Sequence, residues 1–484
     1  MRIKQIELTN FRAFPSTFTL SLGEDGKNLS LYGENGTGKS SLYQALKEVF
    51  RPSNPTGGWS IFSNIFLGEP HPPVSLSIET TTGQVFKWQE GQPFPTDSIL
   101  IDASRRAGFL DYRSLLKLSY CQENSNLCEL AFTVAVHELV SQFNVSLPGG
   151  TERTIAQLWR DVTDHPPASR RRSHLDSAGN YANRFSKALS SVLPQFAKKV
   201  EEFLRYFPLH HLTVEFIHGG LSWLKPSKCL HGKELEFRIQ FRDKSISNHH
   251  EFLNEGRLSA LALSMFLAGV YFSNPGVASG SPEPLRLLIL DDVLIGLDLN
   301  NRLPLLEILE REFSGYQIFL FTYDLVWFEI VRSYTQGRGN WLARKLLGDE
   351  VHPNEPMVPR LEGESDELQL ATKHLENHDF RAAAVHTRAA FESRLKNLLQ
   401  KKGVRVPYKR NPRDLTVDIL WDAFIKWRSE HCPGIPPDAL INRLEAFRSN
   451  VLNRLSHSGS SSLTSTELKE AIKTIQDFRR AEIK

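Results

Sequence analysis

The stretch LYGENGTGKSSL, Leu31–Leu42, restricts the fold of this chain more than any other part of it. Gly33 followed by four residues and then Gly38-Lys39-Ser40 is the spacing of a polyphosphate-binding loop. The glycines let successive backbone N–H groups turn inward on an anion, the lysine reaches the terminal phosphates, and the serine hydroxyl can sit on Mg²⁺. Such a loop works between a strand and a helix, because the helix N-terminus adds its positive dipole end to the same anion. Both flanks fit: NLSLYG, Asn28–Gly33, reads as a buried strand, and SLYQALKEVF has helical spacing. The phosphate cradle is therefore expected from Gly33, Glu34, Asn35, Gly36, Thr37, Gly38, Lys39, Ser40 and Ser41.

A second chemical signal lies far downstream. LRLLILDDVLIGLD, Leu285–Asp298, is a continuous apolar run of buried-strand character that ends in two carboxylates. Asp291, at the end of that strand, is placed to reach a metal held by Ser40, and Asp292 to orient an attacking water. A strand ending in two acids means little alone. Its weight comes from the loop upstream, since neighbouring parallel strands can then supply phosphate and metal from one sheet edge.

Length and composition set the surrounding class. At 484 residues the chain exceeds a single core of usual size and suggests two or three domains. With 40% hydrophobic and 23% charged residues it reads as an ordinary globular protein. No apolar run approaches the roughly 18 residues of a membrane span, and MRIKQIELTNF lacks a signal-peptide core, so a cytoplasmic protein without a membrane partner is expected. Cys121, Cys128, Cys229 and Cys432 show no C-x-x-C spacing, which argues against a zinc site. The net charge of +3 is small, but from Leu361 onward 21 Lys and Arg stand against 17 Asp and Glu, so the basic bias lies at the C-terminus.

Between the two signals, FLNEGRLSALALSMFLAGVYF, Phe252–Phe272, sets Leu253-Asn254-Glu255-Gly256-Arg257 before a long apolar helix. A plain core helix would show the same pattern. In order along the chain, the loop at Gly33, this segment, LILDD and Gly296-Leu297-Asp298 resemble the motif set of ABC-type ATPases, and IELTNFRAF near the N-terminus resembles the SMC, RecF and OLD branch. The resemblance covers about residues 1–345. It implies an α/β fold: a P-loop ATPase with an antiparallel β subdomain and a helical insertion at about 108–207. It also implies ATP and Mg²⁺ as cofactors and a homo-oligomer in which Asn254 and Gly256 cap the nucleotide of a partner copy. FLDYRSLL, Phe109–Leu116, falls where the Q-loop belongs. Nothing in its spacing selects among Asp111, Tyr112 and Arg113, and an ordinary helix start fits equally well.

Three positions depart from the family pattern. Asn254 replaces the signature serine, Asp292 stands for the usual catalytic glutamate with one methylene fewer, and Thr322-Tyr323-Asp324 occupies the place of the switch histidine. A displaced water costs rate more than affinity, so nucleotide binding with slow hydrolysis is expected. DDVLIGLD, TYD and NEGRLSAL together resemble ATPases of anti-phage systems such as the Septu type, which implies a nucleotide-gated sensor in antiviral defence with a separately encoded nuclease as partner. A RecF-like DNA-repair ATPase is the alternative outside that class.

Elsewhere the strand candidates are IKQIEL, TFTLSL, SILIDASR, LTVEFIHGGLSW and ELEFRIQFRD, with a hairpin in VSLSIETTTGQVFKW turning at Thr81–Gly83. Helical periods run over Leu115–Phe143 and Asn180–Phe207. Residues 1–350 are read as the ATPase domain, and the Pro-, Gly- and acid-rich 351–364 as a linker.

Residues 365–484 read as helical throughout, with Asp379 and Asp438 as helix caps and Gly403 at a helix end. This pattern resembles a HEPN domain, and Arg388-x-x-x-Glu392 with a distant His457 resembles the ribonuclease site of ABC-linked anticodon nucleases. That implies an RNase alternative with Arg388, Glu392 and His457 as catalytic residues and tRNA as substrate. An intrahelical ion pair and a helix-end charge explain the same residues. The compact Arg-x4-6-His form is read as absent, since Arg448 and Arg454 stand nine and three residues from His457. SRRRSH, with Arg170 to Arg172, and KKGVRVPYKRNPR, with Tyr408 among its cations, are candidates for contact with nucleic acid, DNA or tRNA, though such runs commonly form solvated loops.

Overall fold

The computed structural model describes residues 1–50, 62–68, 72–92, 97–119, 132, 135–147, 150–169, 171–207, 209, 211–225, 227–246, 252–273, 283–294, 296–338, 340–349, 357–362, 367–407, 416–449 and 464–481. By its contacts the chain divides into two compact units, Met1–Glu362 and Gly363–Lys484.

The first unit is a mixed α/β structure. Its central sheet has six strands in the order Val358–Glu362, Trp341–Asp349, Asn28–Gly33, Gln317–Thr322, Leu287–Asp291 and Gly108–Asp111. Neighbouring strands are parallel except for the first pair. Asn28–Gly33, Leu287–Asp291 and Gln317–Thr322 are buried almost throughout, as parallel strands covered on both faces must be. A four-stranded antiparallel sheet, Phe18–Ser21, Ile3–Thr9, Ser75–Thr80 and Val85–Gln89, alternates buried and accessible residues. It shares one apolar core with the helix Lys39–Phe50 and one face of the central sheet. Gln317 ties the two sheets: its side chain accepts from the Ile3 amide at 2.6 Å and donates to the Ile3 carbonyl at 2.8 Å.

The second core of this unit joins the helix Glu255–Phe272 to the long helix Arg172–Leu204 and a three-stranded sheet, Leu212–His218, Leu235–Phe241 and Lys244–Ile246. Glu255–Phe272 is apolar on nearly every side and buried from Leu258 to Val270. Lys199 anchors the long helix to the end of Leu299–Glu312 through Glu312 at 2.9 Å, with its ammonium 3.9 Å from the Tyr271 ring centroid.

Four sequence expectations are corrected here. SILIDASR is a helix, Ser98–Arg106, not a strand: Asp97 accepts from the Ile99 amide as its cap, and Leu100, Ala103 and Arg106 form its buried face. The insertion expected from residue 108 begins with a strand of the central sheet, Gly108–Asp111, and contains a hairpin, Asn144–Ser146 with Glu152–Thr154. Residues 358–362, expected within the linker, form the antiparallel edge strand, where Pro359 is tolerated. In the second unit the Phe447-ending helix is capped by Pro437 without a side-chain bond, while Asp438 pairs with Arg428 at 2.5 Å.

The second unit is helical in its described residues: Glu367–Glu376, Phe380–Lys401, Val417–His431, Asp438–Phe447 and Ser465–Arg480. Their apolar faces converge on Phe391, Trp421, Phe424 and Phe478. Asp379 caps the second helix by accepting from the Ala382 amide at 3.0 Å.

Candidate functional site

The strand Asn28–Gly33 leads into the loop Glu34–Gly38, and Lys39 opens the following helix. The glycines have separate reasons to be there. Gly36 and Gly38 take φ of +91° and +103°, which side chains resist, and a Cβ on Gly33 would sit 2.5 Å from the Thr37 hydroxyl. Lys39 is buried, its Nζ donating to the Gly33 carbonyl at 2.6 Å and the Glu34 carbonyl at 3.1 Å. The ammonium is therefore folded over its own loop. Burial lowers its pKa, and the carboxylates of Asp292 and Asp291 oppose that shift.

Leu287–Asp291 brings Asp291 to the same edge of the sheet. Ser40 Oγ donates to Asp291 Oδ2 at 3.0 Å. Asp291 is 5% exposed, and its Oδ1 has no hydrogen-bond partner among the described residues. Burial pushes this carboxyl up to about 6, with the charge of Asp292 adding to the shift and Ser40 and Lys39 opposing it. Asp111, paired with Asp291 in the strand register, raises it further. An orphaned buried oxygen beside a hydroxyl is an oxygen donor set suited to Mg²⁺.

Asp292 stands just beyond the strand at φ +52°, a conformation uncommon for aspartate. Its amide donates to the Phe321 carbonyl at 3.1 Å, and its Oδ1 accepts from the Tyr323 amide at 2.9 Å. Burial raises its pKa, opposed by Lys39 and the Tyr323 amide. The carboxylate is thus oriented by backbone from the adjacent strand end.

Asn254 caps the helix Glu255–Phe272, its Oδ1 accepting from the Arg257 amide at 3.0 Å. A Cβ on Gly256 would meet the Gly296 carbonyl at 3.3 Å, and one on Gly296 would meet the Ser259 hydroxyl at 3.2 Å. The turn at Gly296-Leu297-Asp298 therefore lies against the first turn of that helix, and Asp298 caps the next helix, Leu299–Glu312. Thr322-Tyr323-Asp324 ends its strand with Asp324 capping Leu325–Thr335 and paired to Arg302 at 2.5 Å. Sequence reasoning missed Arg302 and the role of the Tyr323 amide. The Asp324 to Trp327 cap spacing was the available signal.

In the second unit Arg388 and Glu392 share the helix Phe380–Lys401, but Glu392 accepts from Lys396 at 2.7 Å and makes no bond to Arg388. His457 lies outside the described residues, as do Arg170, Tyr408, Lys409, Arg410 and Arg413. The compact Arg-x4-6-His spacing, expected to be absent from this unit, is in fact present at Arg381 and His386, with four residues between them in RAAAVH, and sequence reasoning overlooked it. The His386 ring bonds Glu367 at 2.8 Å and stacks on His374 at 5.1 Å between centroids. Among the described residues no group of His, Cys, Asp and Glu is arranged to hold a metal by itself.

No protein-family model matches the chain, and no curated protein matches it. Among solved structures it is similar to the Smc head domain with an extended coiled coil from Pyrococcus furiosus, at 13% identity and a TM-score of 0.40 over 78% of this chain and 99% of that one. It is also similar to the recombination mediator RecF bound to ATP, at 14% identity and 0.38 over 71% and 95%, and to the SMC head domain from Thermotoga maritima, at 14% and 0.31 over 75% and 99%. At such identities and scores the chemical assignment rests on the residues of this site.

Proposed function

We propose that the first unit binds ATP with Mg²⁺, closes on a second copy of itself around the nucleotide, hydrolyses it slowly, and in that way gates an effector in antiviral defence. The single observation that carries ATP binding is the convergence of Lys39, Ser40, Asp291 and Asp292 at the end of parallel strands, below a loop shaped by glycines. Loop amides and Lys39 hold the phosphates, Lys39 exchanging its two carbonyl partners for phosphate oxygens. Ser40 and Asp291 would hold Mg²⁺, which when bound neutralises charge on the β- and γ-phosphates. The Asp292 carboxylate, fixed by the Tyr323 amide, takes the proton from the attacking water. With one methylene less than glutamate it reaches the water less well, which makes turnover slow.

Closure on a partner copy rests on Asn254 and Gly256 at the start of a helix whose N-terminal dipole suits a phosphate. The defence role rests on the resemblance of DDVLIGLD, TYD and NEGRLSAL to anti-phage ATPases, with the helical unit as a platform for a partner nuclease. Light scattering with and without Mg·ATP tests the assembly: a mass that rises with nucleotide supports it, and one fixed across wild type and variants counts against it.

A second reading makes the helical unit itself an RNase, acting on tRNA. It is favoured by His386, whose imidazole is oriented by Glu367 and which stands five residues after Arg381 in the same helix.

A further inference from the structure

The helix Leu299–Glu312 carries an arginine with two distinct partners. Arg302 Nε donates to the Leu297 carbonyl at 2.8 Å, and its Nη1 donates to Asp324 Oδ2 at 2.5 Å. Both side chains are largely enclosed, at 19% and 32% exposure. Asp324 spends its other oxygen on the Trp327 amide at 3.1 Å, and its own amide donates to the Thr322 hydroxyl at 3.1 Å. Tyr323, between them, donates its amide to Asp292 Oδ1. In the other direction Leu297 follows Gly296, which lies against the start of the helix opened by Asn254: a Cβ on Gly256 would meet the Gly296 carbonyl at 3.3 Å, and one on Gly296 would meet Ser259 at 3.2 Å and Glu255 at 3.4 Å. Named bonds and close contacts therefore run without a gap from that first turn, through Gly296-Leu297 and Arg302, to Asp324, Tyr323 and Asp292.

We propose that the Arg302–Asp324 pair is a positioning clamp that couples the turn at Gly296-Leu297-Asp298 to the Asp292 carboxylate, so that a partner copy's nucleotide seated against Asn254 and Gly256 sets the aim of Asp292. This rests on the ATP reading above. Two observations make the pair more than a surface ion pair. Arg302 uses two nitrogens of its rigid fork for two different acceptors, one backbone and one carboxylate, which a lysine ammonium on a flexible stem holds poorly at once. And the residue between Thr322 and Asp324 supplies the bond that holds Asp292, itself in a left-handed backbone conformation that needs such support. Burial raises the Asp324 carboxyl, but the bonds from Arg302 and the Trp327 amide outweigh it and leave the pKa below the ordinary value, so this carboxyl is ionised at neutral pH. Arg302 and Asp324 are positioning residues: neither needs to touch the nucleotide.

The test measures Mg·ATP affinity by calorimetry and single-turnover hydrolysis over a day in wild type, Arg302→Lys, Asp324→Asn and the double variant. Asparagine caps a helix as well as aspartate, so Asp324→Asn keeps the fold at Leu325–Thr335. The clamp predicts that each single variant binds ATP within twofold of wild type yet hydrolyses at least tenfold more slowly, and that the double variant is no slower than either single one. Hydrolysis at the wild-type rate in Asp324→Asn, or losses that multiply in the double variant, would overturn it. Wild-type protein that binds ATP and turns over none overturns the clamp alone, whereas wild-type protein that binds no ATP removes the ATP reading with it.

Discussion

Ser40 and Asp291, 251 residues apart in the chain, meet through a hydrogen bond of 3.0 Å from the serine hydroxyl to one carboxylate oxygen, leaving the other oxygen buried without a partner. The first residue pair of the proposed metal site thus joins the start of the helix Lys39–Phe50 to the end of the strand Leu287–Asp291, and the strand Asn28–Gly33 that leads to that helix is not the neighbour of Leu287–Asp291: Gln317–Thr322 lies between them.

That buried oxygen makes Asp291 costly in the ligand-free protein, and the cost depends on pH. The folded carboxyl takes its proton at about 6 and the unfolded one near 3.9, so folding favours the protonated form. The contribution of Asp291 to stability is then least unfavourable below about pH 4, worsens as pH rises to about 6, and bears its full cost above that. Asp291→Asn is expected to raise the stability of the nucleotide-free protein at pH 8 by up to about 3 kcal/mol, with no gain at pH 4. Denaturant melts at both pH values check this, and equal gains at the two would refute the electrostatic origin.

Mg·ATP affinity should follow the same carboxyl in the opposite sense. The ligand must be deprotonated, so below about pH 6 each unit of pH weakens Mg-dependent binding by about tenfold. Titrations from pH 5 to 8 read this directly. A flat profile would place the metal elsewhere.

Asp292→Asn keeps an acceptor for the Tyr323 amide but loses the proton acceptor for water. The expected result is ATP binding near the wild-type level, no measurable turnover, and an ATP-dependent oligomer that persists. An oligomer that dissociates at the wild-type rate in this variant would show that Asp292 does not limit hydrolysis.

Gly38 tests the loop itself. At φ +103° an added Cβ would also approach Phe14 at 3.1 Å and Ala13 at 3.2 Å. Gly38→Ala should destabilise the first unit by more than about 1 kcal/mol and weaken ATP binding together. Unchanged melting would show that the loop tolerates another conformation.

The strand, loop and helix around Lys39 and the two acids closing LILDD were legible in sequence because each is a local pattern with a chemical reason. What was not legible is what non-local pairing decides. SILIDASR offers a short apolar run that suits a strand, but it folds as a helix that Asp97 caps by accepting from the Ile99 amide and that buries Leu100, Ala103 and Arg106 on one face. Gly108–Asp111 is four residues long and becomes a strand by lying beside Leu287–Asp291, a pairing that also brings Asp111 near Asp291. The orientation of Asp292 depends on a backbone amide 31 residues away, which no spacing rule reaches. In the helical unit, Arg388 and Glu392 had the right separation for a pair, yet Lys396 takes the glutamate, because i, i+4 geometry serves either neighbour on the same face.

The helical unit separates the platform and RNase readings. If it cleaves RNA through the oriented imidazole, His386→Ala should abolish growth arrest on expression while leaving ATP binding unchanged. The same substitution at His457 tests the other histidine. Toxicity and phage protection that survive both changes would leave the platform reading.

The central claim is that Lys39 and its loop bind the phosphates of ATP, and calorimetry of Mg·ATP against the wild-type chain and Lys39→Ala measures it most directly. Lys39 is the ammonium folded over the loop, so its loss should weaken binding at least tenfold, about 1.4 kcal/mol or more. Wild-type protein that binds Mg·ATP while Lys39→Ala binds it with the same affinity would contradict the account.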